Sequence, residues 1–482
     1  MTDEQSPANA ATPVSDEPAA PVERSHRISL GAGELAYTTT CGEMPIRNDK
    51  EELTARLFFT AYTVEQPAGA PPRPLTIAFN GGPGSASVWL HMGGLGPRRV
   101  KMLEDGGMPR PPFEIIDNEY TWLEATDLVF VDPVDTGYSR ATSDDHAKHA
   151  KSMQGDLEVV GEFIRMYLTR YQRWTSPLFL AGESYGTFRA AGLAGLLVEQ
   201  GIAFNGIILI SSILNMQTAR FTSGNDLPFQ LFFPTYAATG WYHQKLDPSF
   251  LAKPVREFLD EVEAWVESDY VPALSQGDRL PADEREEIVA QMAGYTGLRP
   301  EFIDQSNLRI EIQQFCKELR RDEGKTVGRL DSRFTGSDRS GVSDTPDYDP
   351  SLNGIRPPFT STLNHYIRTE LGFESDREYH ILRGLPWSYG DAAGGYADTS
   401  EALRSAFAKN PYMRLFVASG YYDLATPYYA TLYTLNHSSF PAGTADHFDL
   451  KEYETGHMVY IDQGALVALR DHVVAFIAGA VG

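Results

Sequence analysis

Ser184 stands in Gly182-Glu183-Ser184-Tyr185-Gly186, after an apolar run, Pro177 to Ala181, and before a small-residue helical stretch, Ala190 to Leu197. Strand, Gly-x-Ser-x-Gly, helix is the context that exposes a serine hydroxyl on a tight turn. Gly182 and Gly186 suit such a turn because it leaves no room for a Cβ. A serine hydroxyl is a poor nucleophile at neutral pH. It needs a base, and the base needs a carboxylate that fixes its tautomer and stabilises its cation. In this class of sheet the acid and then the base follow the serine, on loops after later strands. Asp423, in Gly420-Tyr421-Tyr422-Asp423-Leu424, and His457, in Glu454-Thr455-Gly456-His457-Met458, hold those places. Acyl transfer also requires donors for a developing oxyanion. The backbone N–H of Tyr185 supplies one, and the loop Asn80-Gly81-Gly82-Pro83-Gly84, whose glycines permit close approach, supplies the other. A capping carboxylate or a surface histidine would be ordinary alone. Together and in this order, the residues read as a Ser-His-Asp triad.

The elements that must position these groups follow from hydrophobic patterning. Arg27 to Leu30, Glu34 to Thr40 and Ala55 to Val64 alternate as an antiparallel lead-in. Pro74 to Phe79, Asp127 to Val131, Phe204 to Ser211 and Met413 to Ser419 are short apolar runs expected as buried strands, with Phe448 to Glu454 as a last strand. A helical pattern spans Asp144 to Gln172, and an apolar final helix is expected over about Gly464 to Ala478. Strands alternating with helices predict an α/β fold with a mainly parallel central sheet flanked by helices. Residues 222–375 break that rhythm. Val255 to Ser268, Pro281 to Tyr295 and Leu308 to Arg321 are helical in period, and Arg333 to Pro358 reads as a polar loop. The expected division is a disordered tail at 1–26, core at 27–221, a mostly helical cap insertion at 222–375, and core again at 376–482.

The 482 residues carry 41 basic and 65 acidic side chains, a formal charge of −24. That balance favours solubility and disfavours nucleic acid or an anionic membrane as a partner. No stretch reads as the roughly 18 consecutive apolar residues of a membrane span. The N-terminus lacks the basic start and apolar core of a secretory signal. Two cysteines, Cys41 and Cys316, make no disulfide framework. These features point to the cytoplasm, or to export if a leader precedes the chain. Asp144 to His149 has two imidazoles but reads more simply as a helix start capped by Ser143. Asp347 to Gly354 spaces oxygens like a calcium loop without the bidentate Glu. No phosphate-binding glycine motif follows an early strand, so neither cofactor nor metal is expected.

The segments around Asn80, Ser184 and His457 resemble the three signatures of the serine carboxypeptidases (peptidase family S10), in a bacterial-type member. Asp132-Pro133-Val134 and Gly137-Tyr138-Ser139 are similar as well. The resemblance implies the α/β-hydrolase fold, with the insertion as a cap over the cleft. It also implies that Asn80, Gly81 and Glu183 bind the substrate's terminal carboxylate and that Gly82 donates to the oxyanion. Glu183 must then be protonated, since two like charges about 4 Å apart repel by roughly 4 kcal/mol at an effective dielectric of about 20. The chain departs from the family at Gly94, where a second Glu is usual, at Ala78 for Trp, Asp135 for Gly and Tyr460 for Pro, and it cannot form the family's disulfides. Trp89 and Met458 are candidate pocket walls.

The reading is a cofactor-independent serine carboxypeptidase acting on peptides through an acyl-enzyme, with a homodimer left open. An esterase or acyltransferase with the same triad, and a catalytically silent binding protein, are the alternatives.

Overall fold

The computed structural model describes residues 20–482 except 32, 68, 391, 393 and 394. The expected tail lies outside the described residues up to residue 19, and strand begins at Val22, ahead of His26. The strands along the main sheet are β1 (Val22–Leu30), β2 (Gly33–Arg47), β3 (Leu53–Thr63), β4 (Leu75–Phe79), β5 (Asp127–Val131), β6 (Leu178–Ser184), β7 (Gly206–Ser212), β8 (Arg414–Gly420) and β9 (Phe448–Tyr453). They lie side by side in the order β1-β2-β3-β5-β4-β6-β7-β8-β9, with a two-residue strand, Arg140–Ala141, added on β3. From β1 to β5 the pairs are antiparallel, and from β5 through β9 they are parallel. β2 runs longer than its alternation predicts, through Pro45. β1 pairs with β2 only as far as Cys41, so Pro45 lies on a stretch of β2 that has β3 alone beside it, an edge where a missing N–H is tolerated.

Successive residues of the parallel strands enter opposite cores. Ala78, Phe130, Ala181, Ile208 and Phe416 join one, whereas Ile77, Val129, Leu180, Ile207 and Leu415 join the other. The second core is closed by α1 (Met153–Arg170), α2 (Tyr185–Glu199) and a helix at Ser400–Lys409. α3 (Leu227–Tyr242) and the helices Val255–Trp265, Ala282–Thr296 and Ile312–Glu318 bury a separate apolar cluster, which takes in Tyr421, Tyr422 and Leu424 beside Asp423. The carboxylate's loop is therefore held by the helical layer as well as by the sheet.

Two expectations need correction. The polar loop expected at Arg333 to Pro358 contains a strand, Thr335–Ser337, and the start of α4 (Pro350–Thr369). Asp349 caps α4 through Oδ1, Pro350 takes the first turn where no N–H partner is needed, and Pro357 and Pro358 stay inside. Ile355, Phe359, Leu363 and Tyr366 then enter the core at helical spacing, an apolar stripe that outweighs the prolines. The final helix, α5 (Gln463–Val481), is long and apolar enough by length and composition to cross a membrane, with mean hydropathy 1.6. It packs Leu466, Leu469, Val473 and Phe476 against the sheet, and Arg470, Asp471 and His472 interrupt it.

Ser143 accepts from the His146 N–H at the start of its short helix, and His149 pairs with Glu158 (2.9 Å). Cys41 and Cys316 are buried and unpaired.

One buried ion pair ties α1 and α2 to the site. Arg189 on α2 donates to Asp156 on α1 (2.8 Å) and to the Asn80 carbonyl (2.7 Å), with its guanidinium over the Phe79 and Tyr185 rings. Removing one partner strands the other charge in the core. Arg189→Leu is expected to cost about 3–5 kcal/mol in urea unfolding, and Arg189→Leu with Asp156→Leu to recover a large part of it. A single variant as stable as the parent would show that the pair does not hold these helices.

Candidate active site

The parallel strands deliver the residues singled out by sequence to one end of the sheet. Asn80 follows β4, Ser184 ends β6, Asp423 follows β8 and His457 follows β9, all at carboxyl ends, where open α/β sheets bind ligands. Asn80, Gly81, Gly82, Trp89, Glu183, Ser184, His457 and Met458 line one cavity of about 190 Å³. Asp423 lies fully buried behind His457.

Ser184 adopts φ +60°, a backbone conformation that non-glycine residues rarely take. Its flanking glycines are required by space. A Cβ on Gly182 would fall 2.2 Å from the Gly186 oxygen, and one on Gly186 would fall 2.6 Å from the Phe79 oxygen. The turn presses against the loop after β4, where a Cβ on Gly81 would sit 2.3 Å from the Tyr185 nitrogen. Gly82 follows at φ +103°, also on the cavity wall. The Tyr185 ring turns away, stacking on Phe188 and meeting Trp387 edge-on.

His457 Nδ1 lies 2.7 Å from Asp423 Oδ2. The other oxygen, Oδ1, accepts the N–H groups of Ala425 (2.8 Å) and Thr426 (3.0 Å). The Thr426 hydroxyl donates to Oδ2 (2.7 Å) and lies 3.2 Å from His457 Nδ1. The histidine's backbone is held too: its N–H donates to the Leu330 carbonyl (2.7 Å) and its carbonyl accepts from the Ser211 hydroxyl (2.6 Å). Burial opposes a charge on this imidazole, but the charge and hydrogen bond of Asp423 outweigh it, and His457 titrates above its ordinary 6.5. An imidazole so oriented can accept a proton at Nε2 and keep it as a stabilised cation.

Glu183 is buried, and its Oε1 accepts from Asn80 Nδ2 (2.9 Å). Asn80 is fixed in turn, since its Oδ1 accepts the Leu90 N–H (3.0 Å). Burial pushes the Glu183 carboxyl up to about 7, against the pull of His457, Tyr460 and Asn80 toward the ionised form. Its Oε2 makes no hydrogen bond of ordinary geometry, although the Tyr460 hydroxyl is near enough to favour ionisation. Two family departures prove to be one. A Cβ on Gly94 would lie 2.6 Å from Tyr460 Cβ, and one on Gly93 would lie 2.3 Å from Tyr460 Cε2. The Tyr460 ring fills the space a side chain at 94 would need.

Trp89 donates to Ser85 Oγ (2.7 Å) and packs on Phe359, and Met458 is buried beside the base. Arg329, Leu330 and Thr426 had not been singled out, and Asp349 had stood only in the calcium-like spacing of Asp347 to Gly354, whereas in the structure it caps α4. Thr426 carried a faint signal, a hydroxyl three residues after the acid. Arg329 and Leu330 lie in the stretch that sequence assigned to the cap, and nothing local marks them.

The serine carboxypeptidase family model matches residues 44–220. Pheromone-processing carboxypeptidase KEX1 of Saccharomyces cerevisiae is 32% identical over 155 residues, 30% of this chain and 20% of the yeast protein. Serine carboxypeptidase-like 33 of Arabidopsis thaliana is 29% identical over 185 residues, 37% of this chain and 35% of that protein. The chain thus spans between a fifth and about a third of the length of these relatives, which are fungal and plant proteins and lend nothing to a bacterial-type assignment. The crystal structure of a prohormone-processing carboxypeptidase from Saccharomyces cerevisiae superposes with a TM-score of 0.56 at 16% identity, covering 92% of this chain and 91% of that one. The fold is the α/β-hydrolase fold. From β2 past the serine turn, the chain is similar to the serine carboxypeptidase family.

Proposed function

We propose that this chain is a serine carboxypeptidase that removes residues from the C-termini of peptides. Ser184 attacks the last peptide carbonyl, His457 Nε2 takes its proton and returns it to the leaving amine, and Asp423 orients His457. The N–H groups of Gly82 and Tyr185 receive the oxyanion. Water then hydrolyses the acyl-enzyme by the same route, with no cofactor. The peptide is the partner in this reading, and nucleic acid and membrane are not.

The observation that carries carboxylate recognition is the buried Asn80–Glu183 pair beside the serine, with Glu183 titrating near 7. Below that pH the carboxyl is neutral and can donate to a substrate carboxylate; above it, two anions face each other. The sign follows: KM for a free-acid peptide rises as pH passes upward through about 7, by up to a thousandfold if the full repulsion of roughly 4 kcal/mol is felt. Turnover falls in the other direction, because His457 must be neutral to act and its raised pKa keeps it charged at acidic pH.

A blocked dipeptide and its C-terminal amide, assayed from pH 4 to 8, test this. The free acid should be preferred at acidic pH and its KM should climb, while the amide's stays level; Glu183→Gln should flatten the climb. Equal turnover of acid and amide at all pH values would favour an esterase or acyltransferase with this triad.

A further inference from the structure

The two-residue segment Arg329-Leu330 is anchored by every backbone group it has. Arg329 donates its N–H to Asp349 Oδ1 (3.2 Å), and its carbonyl accepts from Leu424 (3.0 Å). Leu330 donates to Ser351 Oγ (3.1 Å), and its carbonyl accepts the His457 N–H (2.7 Å). The segment therefore bridges the loop of the acid and the loop of the base, and it puts Arg329 on the wall of the cavity that holds Ser184. There the guanidinium has neither an ion pair nor a hydrogen bond among the described residues. Its neighbours in sequence differ: Arg309, Arg320, Arg321 and Arg333 each hold a carboxylate. Asp349 also lines the cavity, but its Oδ1 already takes the N–H groups of Arg329 and Ser351 and the Ser351 hydroxyl. Apolar side chains, Trp89, Ile355 and Leu382, share the wall with the polar groups of the site. A half-buried cation without a partner is costly to keep unless an anion arrives to meet it.

The geometry points to a subsite in which Arg329 receives the acidic side chain of a residue flanking the scissile bond, making peptides with Glu or Asp there the favoured substrate class. This rests on the carboxypeptidase reading above. The positive charge of Arg329 disfavours a charged His457, so a substrate anion that neutralises it also eases proton transfer to the base. The preference should then reach kcat as well as KM.

Blocked peptides that differ only in Glu or Gln test it, one pair varied before the scissile bond and one at the terminal residue. In one pair the Glu peptide should lead by about tenfold in kcat/KM, the lower end of what a hydrogen bond to a charged group contributes. The lead should shrink as salt screens it. Arg329→Gln should bring the ratio to about one, Arg329→Lys should keep part of it, and Arg329→Glu should turn the preference toward Lys. Fluorophosphonate labelling of Ser184 reports whether each variant is folded, and the salt series on the parent enzyme needs no variant. Ratios near one in both parent pairs would overturn the subsite. So would Arg329→Gln lowering Glu and Gln peptides alike, which would place the cation on the terminal carboxylate or on the base. If neither pair is cleaved, the carboxypeptidase reading fails and the subsite with it; cleavage without a Glu preference removes the subsite alone.

Discussion

Ser184→Ala is expected to lower kcat on the order of 10⁶-fold, and His457→Ala by about as much, because members of a triad act as a unit. The double variant should then lose little more than either single one. The reason lies in the turn as much as in the hydroxyl. Ser184 is held at φ +60° by two glycines with no room for a Cβ, so no neighbouring hydroxyl can move into its place. His457 has both backbone groups anchored and its Nδ1 tied to Asp423, so no other imidazole can substitute. Steady-state turnover of a blocked dipeptide, with fluorophosphonate labelling as a second readout, checks both. A Ser184→Ala protein that keeps more than about a hundredth of parental turnover, or still takes up the label, would place the nucleophile elsewhere. Labelling of the parent chain alone would dispose of the silent-binding alternative.

Much of this site could be read without coordinates, because its chemistry is written in short segments with fixed local geometry. Gly-x-Ser-x-Gly between an apolar run and a small-residue helix specifies a turn, and the strands that carry Asn80 and Asp423 are brief apolar runs that a parallel sheet buries on both faces, whereas the strand before His457 is a partly exposed edge strand. What escaped was set by distant contacts. α4 was hidden because Gly354, Pro357 and Pro358 are strong local breakers, while the stripe of Ile355, Phe359, Leu363 and Tyr366 gains its meaning only against the sheet. Arg329 and Leu330 were hidden because their backbone partners, Asp349, Leu424, Ser351 and His457, are brought together by the fold and share no pattern. Tyr460 and Gly94 looked like two departures from a family; only the ring lying over the glycine joins them. The apolar composition of α5 is a different matter. Burial of one face in a core and immersion in lipid ask for similar residues, so sequence separates them poorly there.

Asp423→Asn should lower kcat by about 10⁴-fold while leaving the structure intact, and the hydrogen bonds around the carboxylate say why. Oδ1 accepts two backbone N–H groups, from Ala425 and Thr426. An amide nitrogen cannot occupy that position without facing two donors, so the asparagine must put its carbonyl there. Its NH₂ group then takes the place of Oδ2, 2.7 Å from His457 Nδ1. Thr426 can adapt, because its hydroxyl rotates from donor to acceptor. His457 cannot: faced with a donor, Nδ1 must become the acceptor, the ring proton moves to Nε2, and the nitrogen that should take the Ser184 proton is already protonated. The loss should fall on kcat, with the KM of a free-acid peptide at pH 5 changed little, since Asn80 and Glu183 are untouched. Activity should return in part at high pH, where hydroxide can remove the serine proton without the base. Thr426→Val tests the partition of the same network. It removes one donor to Oδ2 but not the two that fix Oδ1, so it should cost about tenfold or less, in keeping with one buried hydrogen bond. If Thr426→Val were as damaging as Asp423→Asn, the hydroxyl and not the carboxylate would be setting the tautomer of His457.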